Sequence, residues 1–232
     1  MKIIYEVILI TTISELALNK IKNGMTVSLG GGHNVFNLTQ AIRHAQLDIR
    51  LCSPSELTRL NCQAIGLQVD SLEAIDHIDL AFDGCDSVDY HFNALKSGGG
   101  IHLYEKIAAQ MSDKYVLLLP AERIQKELSN KVPLCIEIAP PVVKQVIKTG
   151  ESMDLKMEIR QGTKVATLAR SPQGNLLVDA FSSTWNDIDK IVSKLNNQNG
   201  VVAISYFKDL VTSLITTNEN NEAIELKKGD LK

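Results

Sequence analysis

Met25-Thr26-Val27-Ser28-Leu29-Gly30-Gly31-Gly32-His33-Asn34-Val35 is the stretch that decides the fold. A short apolar run ends in three glycines, and an amphipathic segment, Val35–Ala45, begins almost at once. That is the order of strand, tight turn and helix. The same order spreads outward through the first half of the chain. Ile49–Cys52, Leu67–Val69, Ile78–Phe82 and Tyr115–Leu119 read as strands, while Ser55–Ile65 and Ile101–Met111 carry apolar residues near a 3.6 period. Strands alternating with helices pair in parallel through right-handed crossovers, which predicts a doubly wound α/β sheet. In such a sheet a ligand sits beyond the carboxyl ends of the strands, where the strand order reverses.

After Pro133 the rhythm changes. Leu134–Ile138 reads as a strand, and Pro140-Pro141 opens a helix that Val142–Lys148 continues. Leu155–Ile159, Lys164–Ala169 and Leu176–Ala180 read as neighbouring strands, the last two joined by a turn at Ser171–Gly174. Thr184 is the expected cap of a helix over Asp187–Leu195, and Val201–Ser205 closes the set. Leu210–Thr217 is expected back in the main sheet, with a frayed polar tail from Asn218. The predicted organisation is a parallel-sheet domain over 1–129 plus 206–232, with a smaller α+β domain over 130–205.

The bulk properties narrow the function. The chain has 232 residues, 44% hydrophobic and 22% charged, with a formal net charge of -3. No general field draws it to nucleic acid or to anionic membrane, so an anionic substrate needs a local site. No apolar run approaches the roughly 18 residues that span a bilayer. Met1–Thr12 reads as a buried segment and not a signal peptide. Cys52, Cys62, Cys85 and Cys135 lack CxxC spacing and read as reduced thiols, consistent with a cytoplasmic protein.

Three constellations carry chemistry. Gly30–Gly32 can turn backbone amides toward an anion at a helix start. The run fails as a dinucleotide fingerprint, since the third glycine of GxGxxG is missing and Cys52-Ser53 stand where an acid is needed. It is no Walker loop either. A turn without a ligand is the competing reading. Asp83-Gly84-Cys85-Asp86 closes a buried strand with two carboxylates, a costly arrangement unless they serve a ligand, a metal or a hydrogen-bond network; simple turn capping competes. Lys96-Ser97-Gly98-Gly99-Gly100 places a cation beside amide donors, the equipment of an oxyanion site, and leads into the helix carrying Glu105. Alone, Glu105 reads as a solvated helix residue. All of these fall at one edge of one sheet.

Taken together, these residues resemble the ribose-5-phosphate isomerase A family, whose pattern runs D-G-A-D…K-G-G-G…R-E-K-I. Asp83-Gly84-Cys85-Asp86, Lys96, Gly98–Gly100 and Glu105-Lys106-Ile107 match it without a gap. Pro133-Leu134-Cys135-Ile136-Glu137 resembles P-L-P-V-E, and Gly174-Asn175 with Asp179 resembles D-G-N…D. The resemblance implies a Rossmann-like domain with a smaller ferredoxin-like α+β domain, a homodimer or homotetramer, a sugar phosphate as ligand, and no cofactor or metal. It implies that Glu105 moves a proton between C1 and C2, while Lys96 and the amides of Gly98 and Gly99 stabilise the enediolate oxygen. Asp83 would assist ring opening and hydroxyl proton transfer, and Asp86 would hold sugar hydroxyls.

The chain departs from that pattern where phosphate is expected. The family's G-T-G-S-T is Gly30-Gly31-Gly32-His33-Asn34 here, and two family lysines fall at Ile10 and Ile124. Backbone amides, His33 and Asn34 are then the expected phosphate donors, with Arg59 or Arg123 as further cations. Two other readings stand beside the isomerase. One is a non-catalytic or altered-substrate sugar-binding paralogue, because function lives in sites and not in folds. The other is a metal-assisted enzyme using Asp83, Asp86, Asp89 and His91.

Overall fold

The computed structural model describes residues 11–231. Along the chain come helix α1 (Ile13–Leu18), strand β1 (Thr26–Leu29), α2 (His33–Ala45), β2 (Arg50–Cys52), α3 (Glu56–Ala64) and β3 (Leu80–Asp83). A tight hairpin follows, β4 (Ser87–Asp89) and β5 (Ala94–Leu95), and then α4 (His102–Gln110), β6 (Tyr115–Leu118) and the two-residue β7 (Ile124–Gln125). The second half contains β8 (Leu134–Ile138), α5 (Val143–Glu151), β9 (Lys156–Ile159), β10 (Leu176–Phe181), α6 (Ile188–Asn196) and β11 (Val201–Ile204). The chain closes with β12 (Tyr206–Phe207), β13 (Ser213–Thr217) and β14 (Ala223–Lys227).

The main sheet has the order β14-β13-β6-β3-β1-β2, parallel except for β14. The period-2 alternation sorts its side chains between two cores. Val27, Leu29, Leu80, Phe82, Val116 and Leu118 join α1 and α2 on one face. Ala81, Tyr115, Leu117 and Leu214 pack with α4 on the other. From β1 the chain crosses to β2 on one side, and the next strand, β3, adds on the other. The strand order therefore reverses between β1 and β3, and the turn Gly30–Gly32 and the turn at Gly84 meet there. Helix α2 starts directly after Gly32, whose φ of 100° is a left-handed conformation suited to glycine.

A second sheet, β11-β8-β10-β9, is antiparallel. Leu134, Ile136, Ile138, Val178 and Ala180 pack on α5 and α6 through Val146, Ile188, Ile191 and Leu195. The alternation leaves Cys135, Glu137, Leu177 and Asp179 on its opposite face. A third small sheet, β12-β5-β4-β7, was not foreseen.

Four sequence expectations need correction. Leu67–Val69 forms no strand: between the left-handed Gly66 and a 3-10 turn at Leu72–Ala74 there is room only for an isolated bridge, Cys52 to Asp70. Lys164–Ala169 is also not a strand. It buries neither face, with Val165 64% exposed, and its pairing is a single bridge from Leu168 back to Gln161. The tail after Asn218 is not frayed, because the Asn218 carboxamide oxygen accepts from the Asn220 and Glu222 amides and turns the chain into β14. Thr184 does not cap α6: Asp187 holds that position without a side-chain bond, and the Thr184 hydroxyl accepts from the Asn186 N–H.

Candidate active site

Strand β3 delivers Asp83 to the point where the strand order reverses, with the residue 2% exposed. A carboxylate there must be satisfied internally. Tyr115 Oη donates to its Oδ2 at 3.0 Å, and the amides of Gly31 and Gly84 donate to its Oδ1 at 3.0 and 2.8 Å. Gly30 makes room for it, since a Cβ on that residue would lie 2.1 Å from Asp83 Cγ.

The unforeseen hairpin explains the spacing between Asp83 and Lys96. Asp89 accepts from the amides of His91 and Asn93 and from the Asn93 side chain, and Phe92 takes a left-handed φ of 66°, so the chain reverses between β4 and β5. The Asp86 N–H then reaches the Leu95 carbonyl, and the Lys96 N–H reaches that of Ser205. Lys96 is thereby folded back over Asp83. Its Nζ lies 3.1 Å from Asp83 Oδ1 and 3.2 Å from Glu105 Oε1, and it also donates to the Gly84 carbonyl.

Glu105 is 6% exposed, on the buried face of α4 with Ala108 and Ala109. The expectation that it stands in solvent when read alone is overturned. Burial pushes its pKa above the usual carboxylate range, opposed by Lys96 and reinforced by the charge on Asp83. Burial opposes the charge on Lys96, but Asp83 and then Glu105 outweigh it, and its pKa is raised. Burial drives the Tyr115 phenol well up, so it remains a donor to Asp83.

Asp83, Lys96 and Glu105 line one cleft of about 580 Å³, together with Asp86, Gly31, Gly32, Gly99, Arg59 and Arg123. Asp86 Oδ2 accepts from the amides of Ser97 and Gly98 at 2.7 and 2.9 Å. Gly30 and Gly98 are adjacent to the cleft without lining it.

His33 and Asn34 do not line the cleft. His33 is the exposed first residue of α2, and the Asn34 carboxamide donates to the Leu118 carbonyl. Ile10 lies outside the described residues. Ile124 is half-buried against the core in β7, whereas Arg123 opens onto the cleft and donates to the Cys85 carbonyl. Arg59 likewise donates to the Ser53 carbonyl. The four residues of the metal reading are divided between two hollows, Asp83 and Asp86 in this cleft, Asp89 and His91 in another. Among the described residues, metal-ligating atoms cluster at His77, Asp79 and Asp113, at the amino ends of β3 and β6, away from the cleft. Tyr115 was missed in the sequence. Its signal was a phenol inside a fully buried apolar strand, where the hydroxyl needs a partner.

A family model for ribose 5-phosphate isomerase A (phosphoriboisomerase A) matches residues 50–221. The chain belongs to this family. It is 27% identical over 215 residues to a ribose-5-phosphate isomerase A of Prochlorococcus marinus, covering 90% of this chain and 91% of the relative. A second protein of that name, from another strain of the species, is 29% identical over 216 residues, again with 90% and 91% coverage. The solved ribose 5-phosphate isomerase A of Methanocaldococcus jannaschii superposes with a TM-score of 0.85 at 25% identity, over 94% of this chain and 97% of that one. A D-ribose-5-phosphate isomerase solved in complex with phospho-erythronic acid also gives 0.85 at 25% identity, over 93% and 96%. The α/β fold, a Rossmann-like parallel sheet with a smaller α+β unit, is the fold of these family members. No described helix is long and apolar enough to cross a membrane.

Proposed function

We propose that this chain interconverts ribose 5-phosphate and ribulose 5-phosphate through an enediolate, the aldose–ketose isomerisation of the pentose phosphate pathway. The observation that carries the reading is the buried Lys96 ammonium held between Asp83 and Glu105 at the floor of the cleft. Isomerisation moves one proton between C1 and C2 and another between their oxygens. It needs a carboxylate base, an oxyanion site and an acid–base partner, and all three are present.

Glu105 takes the C2 proton of the open-chain aldose and returns it to C1. Its raised pKa suits the role, because a base close in pKa to the working pH both accepts and releases. Lys96 and the Gly99 amide face the oxygen on which charge develops. Asp83, fixed by Tyr115 and two amides, handles the hydroxyl proton and ring opening. Asp86 spends Oδ2 on the loop and keeps Oδ1 for sugar hydroxyls.

The phosphate end differs from the sequence expectation. The Gly31 N–H is already committed to Asp83, and His33 and Asn34 stand outside. Arg123 takes over as the phosphate anchor, with the Gly32 amide beside it. Arg59 also lines the cleft, donates to the Ser53 carbonyl, and is the second candidate. A homodimer or homotetramer, a cytoplasmic location and the division into 1–129 plus 206–232 and 130–205 belong to the same proposal.

A coupled assay comparing ribose 5-phosphate, free ribose and other pentose phosphates tests it. Ribose 5-phosphate is expected to give the highest kcat/KM; a folded protein that leaves it unconverted at saturating concentration refutes the reading.

A further inference from the structure

The smaller sheet reaches the catalytic loop through one side chain. Arg160, just after β9, points its guanidinium at Asp179 on β10, donating from Nε to Oδ2 at 2.8 Å and from Nη2 to Oδ1. The pair is mostly buried, with 19% and 13% of the side chains exposed. The guanidinium is a rigid planar fork, so a carboxylate that fixes one edge also fixes where the other N–H groups point. Here they point at two successive carbonyls of the glycine loop: Nη2 donates to Ser97 O at 2.8 Å and Nη1 to Gly98 O at 3.3 Å.

Those two contacts set two peptide planes. A trans peptide is planar and carries its oxygen and its hydrogen on opposite edges. In the Ser97–Gly98 unit the oxygen is held by Arg160 and the N–H by Asp86 Oδ2, so that plane is pinned from both sides. In the Gly98–Gly99 unit Arg160 draws the oxygen one way, which turns the Gly99 N–H the other way. Gly99 is part of the cleft wall, and its N–H finds no backbone acceptor among the described residues. Three glycines in a row have no side chain with which to hold such an orientation themselves.

We propose that Arg160, backed by Asp179, is a positioning residue that aims the Gly99 N–H into the cleft as an oxyanion donor; this rests on the enediolate reading above. The smaller sheet thus supplies none of the atoms that touch the reacting carbons, yet it sets the direction of a donor that does.

The test pairs Arg160→Met with Arg160→Lys and uses two ligands. One is a phosphorylated four-carbon hydroxamate, an anionic mimic of the enediolate; the other is ribitol 5-phosphate, which has no developing charge. Removal of a whole oxyanion donor lowers kcat by about 10²–10³-fold, and misdirecting one should lose about 10- to 100-fold. Arg160→Met is expected to lose that factor in kcat and in hydroxamate affinity, while KM and ribitol 5-phosphate affinity stay within about twofold. Arg160→Lys, which keeps the charge and part of the donor set, should recover some of the loss, and it carries the same readouts if the methionine variant does not fold. Equal weakening of both ligands, or a raised KM at unchanged kcat, overturns the proposal. A crystal structure of the variant separates this idea from the reading beneath it. A turned Gly98–Gly99 peptide supports the positioning role and an unturned one sinks it, whereas absence of wild-type turnover sinks the isomerase reading.

Discussion

Gly30→Ala is the sharpest perturbation that the geometry offers. The added Cβ would stand 2.1 Å from Asp83 Cγ and Oδ1 and 2.5 Å from Oδ2, where ordinary contact begins at 3.4 Å. Gly30 has no left-handed φ, so the backbone itself accepts alanine. The strain falls on the carboxylate, which must retreat by about 1.3 Å. Four donors hold that carboxylate in place, namely Tyr115 Oη, the amides of Gly31 and Gly84, and Lys96. A displacement of about 1 Å in a reacting group lowers rate roughly 10²-fold. The expected result is therefore about a hundredfold loss in kcat with native far-UV circular dichroism, read in the coupled assay. Gly31→Ala is the matched control, because a Cβ there meets nothing within 4 Å. Turnover of Gly30→Ala within about threefold of wild type would refute the claim that Asp83 needs this position.

Other consequences can be checked with the same assay. Glu105→Gln keeps the shape but cannot accept a proton, so kcat should fall by about 10²–10⁴-fold with ligand affinity largely kept, as isothermal titration would show. The acid limb of kcat/KM should lie between the ordinary carboxylate value of 4.5 and about 8, since activity needs Glu105 ionised and burial raises its pKa; a limb below that window would mean another base. Arg123→Ala removes a charge-assisted contact of about 1.5–3 kcal/mol, which should raise KM for ribose 5-phosphate by about 10- to 100-fold while leaving free ribose unaffected. Because His33 stands outside the cleft, His33→Ala should leave ribose 5-phosphate binding unchanged from pH 6 to about 8, and a change would return it to the site.

Much of this was legible because the main sheet obeys local rules. Glycines after β1, the acidic end of β3 and the helical period of α4 each announce an element, and parallel connectivity then gathers their ends. That Asp83, Asp86, Lys96 and Glu105 meet at one cleft could be expected from their place at one sheet edge. The route by which Lys96 arrives could not. Its hairpin depends on Asp89 capping a turn and on Phe92 adopting a left-handed φ, neither of which shows in a hydrophobic pattern. His33 and Asn34 were misplaced for a related reason. They follow the glycines in sequence, but the helix begins at once and carries both side chains off the cleft. The reach of Arg160 to the glycine loop was invisible because its partners there lie 62 and 63 residues away in the chain. Arg123 was obscured by a one-residue ambiguity that only the packing of Ile124 resolves.

The mutual burial of Asp83, Lys96 and Glu105 also shapes what descent can do with this chain. Lys96 is the cation between two buried carboxylates, so losing it leaves both as uncompensated charge, typically a penalty of about 3–5 kcal/mol. That is a large part of a domain's whole stability. A lineage abandoning the activity can lose either carboxylate and keep a matched pair, but it cannot shed Lys96 while both carboxylates remain. The cleft mouth is under no such rule. Gly31 and Arg123 border solvent, and replacement there meets little resistance from the core. The cleft mouth can therefore drift along this fold while the buried lysine stays locked.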